Sequence, residues 1–85
     1  MIIDCDNKHV YTIKEIDDDR YPFAIVDEFG ETVTQTLDYV LEECIRFGQS
    51  LCVGTDYMHN LKYTRILRYK MPGERWKDAA QEYLE

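Results

Sequence analysis

The sequence predicts an α+β domain: a small antiparallel sheet of about five to six strands with two amphipathic helices packed on one face, in the order roughly βββ(β)αββα. β-Branched and aromatic runs broken by turn-forming residues fill the chain as far as Thr36. From Leu37 the apolar residues recur at helical spacing. A second helical stripe follows the Pro72-Gly73 break near the C-terminus.

The opening, MIIDCDNKHVYTIKEID, reads as a short strand near Ile2 to Cys5, a turn at Asp6 to Lys8 and a second strand near 9 to 16. YPFAIVDEFGETVT reads as a hairpin, because Pro22 is admissible at a strand start and Gly30 supplies the positive φ of a tight turn between Asp27 and Thr32. Leu37, Val40, Leu41, Cys44 and Ile45 then form one stripe of an amphipathic helix. Thr36 is its expected N-cap, Arg46 suits the negative end of its dipole, and Gly48 stops it in the left-handed conformation.

SLCVGT reads as a short buried strand and DYMHN as a loop. LKYTRILRYKM reads as a long strand, with Leu61, Tyr63, Leu67, Tyr69 and Met71 on the apolar face and Arg65 as the one intruder. Alternation puts Lys62, Thr64, Ile66, Arg68 and Lys70 on a polar, positive face. Trp76, Ala79, Ala80, Tyr83 and Leu84 supply the closing helix.

Eighty-five residues predict a single compact domain over positions 1–85. The hydrophobic fraction of 45% is too high for a disordered acidic tail, so the chain should fold. A domain of this size buries only about 60 to 65% of its unfolded surface, which makes a homodimer one route to further stability. No secretory leader begins the sequence and no apolar run approaches the roughly 18 residues of a membrane span, so a cytoplasmic protein without a membrane partner is expected. Cys5, Cys44 and Cys52 are odd in number and irregular in spacing, which predicts thiols rather than a disulfide framework.

The net charge of -7 is unevenly spread. Residues 1–45 hold twelve acids against three bases, whereas residues 46–85 hold five acids against seven bases. Such asymmetry bears on association and solubility rather than on fold.

Several chemistries fit poorly. Asp17, Asp19 and Glu28 take positions 1, 3 and 12 of a calcium loop, but Tyr21 replaces a ligand, Pro22 replaces the turn glycine, and the flanks read as strands. Asp4, Asp6 and Glu15 repeat the spacing, broken by Lys8 and His9. Cys5 with His9 and Cys52 with His59 are the conceivable zinc donors, yet no Cys-x-x-Cys occurs and buried cysteine is the simpler reading. Ser50 is the only serine and lacks a nucleophile elbow, and the four glycines are isolated, so neither acyl transfer nor a phosphate-cradling loop is indicated. The most reactive-looking cluster is Thr55, Asp56, Tyr57, His59 and Asn60, which a polar hairpin loop also explains. The strand from Lys62 to Lys70 interleaves bases with Tyr63 and Tyr69, but alternation sends rings and bases to opposite faces, which argues against direct nucleic-acid binding.

The acids remain. Asp17, Asp18 and Asp19 occupy one turn, Asp27, Glu28 and Glu31 the next, and Glu42 and Glu43 the polar side of the first helix. A solvated surface is the simplest reading. The sharper expectation is one acidic face that meets a basic protein surface, with Tyr21 and Phe29 as aromatic anchors. A short, acidic, Tyr-rich domain without catalytic motifs also looks like the small proteins that phages and mobile elements encode to block host enzymes. Inhibitors of restriction and CRISPR systems that imitate the charge of DNA are of this type. That likeness rests on size and charge and implies a non-enzymatic inhibitor of a host nucleic-acid-processing enzyme, with no cofactor and no metal. A self-associating module, with the basic strand of one copy against the acidic half of another, is the alternative. A small enzyme or metal-binding domain using the 55–60 loop is the third reading.

Overall fold

The computed structural model describes residues 1–79. Four strands come first: β1 (Ile2–Cys5), β2 (Val10–Glu15), β3 (Phe23–Val26) and β4 (Thr32–Thr36). Helix α1 (Asp38–Phe47) follows, then β5 (Ser50–Thr55), β6 (Leu61–Lys70) and a two-residue β7 (Lys77–Asp78). All pairings are antiparallel, and the strands run in the order β4-β3-β2-β1-β6-β5, with β7 beside the end of β6.

The sheet curls until its two edges approach. A Cβ added to Gly54 in β5 would lie 3.0 Å from the backbone oxygen of Val33 in β4, so these edges are in van der Waals contact without joining the ladder. The result is a nearly closed barrel rather than the expected open sheet with two helices on one face. Bulges supply the curvature. Val33 is the extra residue opposite β3, Val53 the extra residue opposite β6, and Leu67 the extra residue opposite β1. Ile3, Cys5, Tyr11, Ile25, Leu51, Val53 and Ile66 fill the interior, joined by Leu41 and Cys44 from the helix.

The Leu67 bulge also reverses the predicted faces of β6. Ile66 pairs with Cys5, whereas Arg68 pairs with the adjacent Asp4, so the alternation slips by one residue between them. Thr64 and Ile66 therefore point inward at 3% and 2% exposure, while Leu61, Tyr63, Arg65 and Leu67 are exposed. Beyond the bulge Tyr69 turns inward against the core. Tyr63 and Arg65 share a side, as alternation requires, but that side is the outer one rather than the core face.

Helix α1 has the predicted stripe and stop, with Leu41 and Cys44 buried and Gly48 left-handed at φ 64°. Its cap differs. Leu37 is the N-cap and, being apolar, makes no side-chain cap bond; Thr36, the expected cap, is still the last, buried residue of β4. Arg46 meets Glu42 at 2.8 Å across one helical turn. The second predicted helix is contradicted at its start: Lys77–Asp78 is a strand paired with Arg68 and Tyr69. Trp76 is held there by the Arg68 guanidinium, 4.7 Å from its ring centre, and the Lys70 ammonium at 5.1 Å. The rest of that predicted helix, Ala80 to Leu84, lies outside the described residues. No helix among the described residues is long and apolar enough to cross a membrane.

Candidate functional site

In an antiparallel meander alternate turns fall at opposite ends. The β1–β2, β3–β4 and β5–β6 turns therefore gather at one end, the mouth, and the β2–β3 turn lies at the other with α1, which links β4 back to β5. This arrangement divides the predicted acidic face. Asp27, Glu28, Glu31 and Phe29 stand at the mouth. Asp17, Asp18, Asp19 and Tyr21 stand at the opposite end, as do Glu42 and Glu43 on α1.

At the mouth the carboxylates act as loop builders. Asp27 Oδ1 accepts the N–H groups of Phe29 and Glu31, both at 2.9 Å, and so folds the β3–β4 turn around Gly30. Glu28 ties that turn to β2: Oε1 lies 2.7 Å from His9 Nδ1 and Oε2 accepts the Val10 N–H at 3.1 Å. The Val10 bond, with the His9 contact second, holds the Glu28 carboxyl below its ordinary range. Asp56 accepts Met58 N–H at 2.8 Å and Asn60 N–H at 3.0 Å, which likewise depress its pKa, the Asn60 bond most. The candidate reactive loop is therefore a turn organised by its own aspartate, with His59 left-handed at φ 64°.

Asp6 fastens the β1–β2 turn to β6. Its Oδ1 accepts the Thr64 hydroxyl at 2.5 Å and the Arg65 N–H at 3.1 Å, and the hydroxyl bond is the main reason that its pKa is lowered. Cys5, one residue away, is pushed up to about 12, chiefly by burial and further by the fields of Asp4 and Asp6, which leaves it an inert thiol. Cys5, Cys44 and Cys52 are all free. His9 meets Glu28 at the rim rather than Cys5 in the core, and the described residues contain no group of three or more metal-binding side chains.

Between the three turns lies a recess of about 470 Å³. Tyr11, Val33 and Val53 belong to its apolar lining; Asn7, His9, Thr55 and Lys62 are polar; Phe29 and Tyr63 stand at its edge. Large exposed side chains crowd the same end, with Phe29 at 80% and Tyr57 at 92% exposure, accompanied by Met58, Leu61 and Tyr63. From the sequence alone Asp27, Glu28 and Phe29 belong to a partner surface and Lys62 and Tyr63 to a basic strand, whereas Asn7 and Tyr11 carry no sign of a site. Turn parity was the available signal, since the first, third and fifth turns of a meander must share an end.

The opposite end is built otherwise. Asp18 Oδ1 accepts Arg20 and Tyr21 N–H groups at 2.9 and 2.8 Å, and Glu42 is paired with Arg46. Among the described residues, the side chains of Asp17, Asp19 and Glu43 make no hydrogen bond or ion pair. Tyr21 there is less exposed than Phe29 at the mouth.

Comparison with protein-family models, with curated protein sequences and with solved structures finds no match to this chain.

Proposed function

We propose that the protein is a non-catalytic interaction module whose working surface is the barrel mouth, and that the surface it meets is a basic region of another protein. The observation that carries this reading is the coincidence of exposed Phe29, Tyr57, Met58, Leu61 and Tyr63 with a recess at one end of the molecule. Rings exposed beside a concavity are the usual anchors of a protein contact. The charge of the partner follows from the same end: Asp6, Asp27, Glu28, Glu31 and Asp56 outnumber Lys8 and Lys62. Of these acids, Glu31 alone has a side chain unspent in the turns. Long-range attraction comes from all five, because a carboxylate that accepts a backbone N–H keeps its charge.

An enzyme that handles nucleic acid presents such a basic surface, and a protein of this kind would act by covering it. Asp17, Asp18, Asp19, Glu42 and Glu43, at the far end, add to the field without touching the same partner patch, and Tyr21 beside them is likewise remote from it.

The test compares the two ends. Tagged protein is used to capture partners from a lysate of its natural host, in three forms: unaltered, Phe29→Ala with Tyr57→Ala, and Asp17→Asn with Asp19→Asn. A basic protein retained at low salt, released at high salt, lost by the first variant and kept by the second supports the mouth as the contact. Retention by the mouth variant, or recovery of nothing but the protein itself, overturns it.

A further inference from the structure

The recess combines engaged carboxylates with two unspent donors. Glu28 uses both oxygens, on His9 and Val10, and Asp27 uses Oδ1 on two turn N–H groups, with Oδ2 left unbonded among the described residues. The two donors are the Tyr11 hydroxyl and the Lys62 ammonium. Asn7 Oδ1 accepts the His9 N–H at 3.0 Å, which fixes the orientation of the amide and sends Asn7 Nδ2 to the Tyr11 hydroxyl at 2.9 Å. The Tyr11 oxygen is therefore the acceptor in that bond, and its own hydrogen goes to no atom of the described residues. Tyr11 is only 4% exposed and lines the recess, so this donor is held in place and shielded from bulk water. Lys62, also in the lining, makes no hydrogen bond or salt bridge among the described residues, although it sits in the field of Asp56.

The remaining lining is ring-sized and apolar. Val33 and Val53 are the two bulge residues of the barrel edges, and exposed rings come from Phe29 in the β3–β4 turn and from Tyr63 in β6. A volume of about 470 Å³ is in the range of small-ligand sites, which favour barrel mouths. Free donors above apolar and aromatic walls select a flat ring that carries hydrogen-bond acceptors. The Asp27 and Glu28 charges disfavour a ligand with a large negative charge.

We propose that the mouth recess binds an oxo-substituted nucleobase, an exocyclic oxygen and a second acceptor on its edge accepting from the Tyr11 hydroxyl and the Lys62 ammonium, and its ring lying against Phe29 with Tyr63 at the rim. The base is recognised for its edge and face, so an uncharged nucleoside binds better than the same nucleoside carrying a phosphate. This does not require the protein partner proposed above: the binding belongs to the isolated chain, and its failure leaves that reading standing.

The experiment is a titration of isotope-labelled protein followed by amide and side-chain chemical shifts, with uridine, guanosine, their 5′-monophosphates and a short single-stranded oligonucleotide as probes. The expected result is saturable shifts confined to Asn7, Tyr11, Val33, Val53 and Lys62 with the nucleosides, weaker for the monophosphates. Equal or tighter binding of the oligonucleotide would assign the base to a strand instead of a free nucleoside, and would overturn the discrimination against phosphate. Tyr11→Phe should weaken nucleoside binding about fivefold, the value of one neutral hydrogen bond. Lys62→Met, at an exposed position, should weaken it by a similar factor and remains informative if Tyr11→Phe folds poorly. Absence of shifts up to about 10 mM nucleoside, shifts located elsewhere, or unchanged affinity in the folded variants overturns the proposal.

Discussion

The mouth and the helix end are both acidic, and they use acid differently. At the mouth Asp6, Asp27, Glu28 and Asp56 accept backbone N–H groups and so shape the turns that carry the exposed rings. At the helix end Asp18 does the same for one turn, but Asp17, Asp19 and Glu43 are left to solvent. An aspartate two residues before a turn N–H is architecture first and surface charge second. Counting carboxylates along the chain cannot separate these roles. Their accepting bonds do.

Cutting into the helix end should have the largest effect on stability. Leu41 is 2% exposed and packs into the barrel interior, so Leu41→Ala should lower unfolding free energy by about 2 to 5 kcal/mol. Denaturant unfolding measures it. A loss below about 1 kcal/mol would mean that the helix is an appendage and that the barrel stands without it.

The closure at the mouth side is next. Gly54 has φ +127°, and an added Cβ would press against the Val33 carbonyl at 3.0 Å. Gly54→Ala should therefore cost about 1 to 3 kcal/mol and displace β5 from β4, widening the recess. Thermal unfolding with amide shifts at Val33 and Val53 would register both. An unchanged protein would mean that the two barrel edges are not in contact.

Acid should sharpen the comparison with the smallest perturbation. Asp6, Glu28 and Asp56 have folded-state pKa values below their ordinary ones, through the Thr64, Val10 and Asn60 bonds respectively. Their stabilisation is present above the ordinary carboxylate values and is lost as pH falls through the depressed folded values, so the change lies below about pH 4. Hydrogen exchange over that window should show the Val10, Met58 and Asn60 amides losing protection before those of α1. Simultaneous loss at both ends would refute the distinction.

Much of the local structure was legible before the fold. The extents of β1, β5 and β6, the Gly30 turn and the Gly48 stop follow from propensity, periodicity and positive-φ chemistry, all of which act over a few residues. The inner face of β6 was not legible. One extra residue, Leu67, inverts the side-chain parity of the strand, and its presence depends on how β6 pairs with β1, more than sixty positions away. The closing helix misled for a related reason: the spacing of Trp76 and Ala79 satisfies a helix, but the edge of β6 was free to accept Lys77–Asp78 as a strand. At the site, the Asp27-Glu28-Phe29 turn could be read from the chain, whereas the Tyr11 hydroxyl donor could not, since it is left over by a bond to Asn7 that exists only once the turn is formed.

By itself, then, the sequence determined where β1 to β6, their turns and the first helix lie, and that the first half is acidic, because those properties are set by neighbours along the chain. Only the tertiary structure decided that the sheet curls into a nearly closed barrel, that the acids divide between two ends and that three distant turns enclose one recess. Each of these depends on strand register and bulges, which are set by pairing between segments that are far apart in sequence.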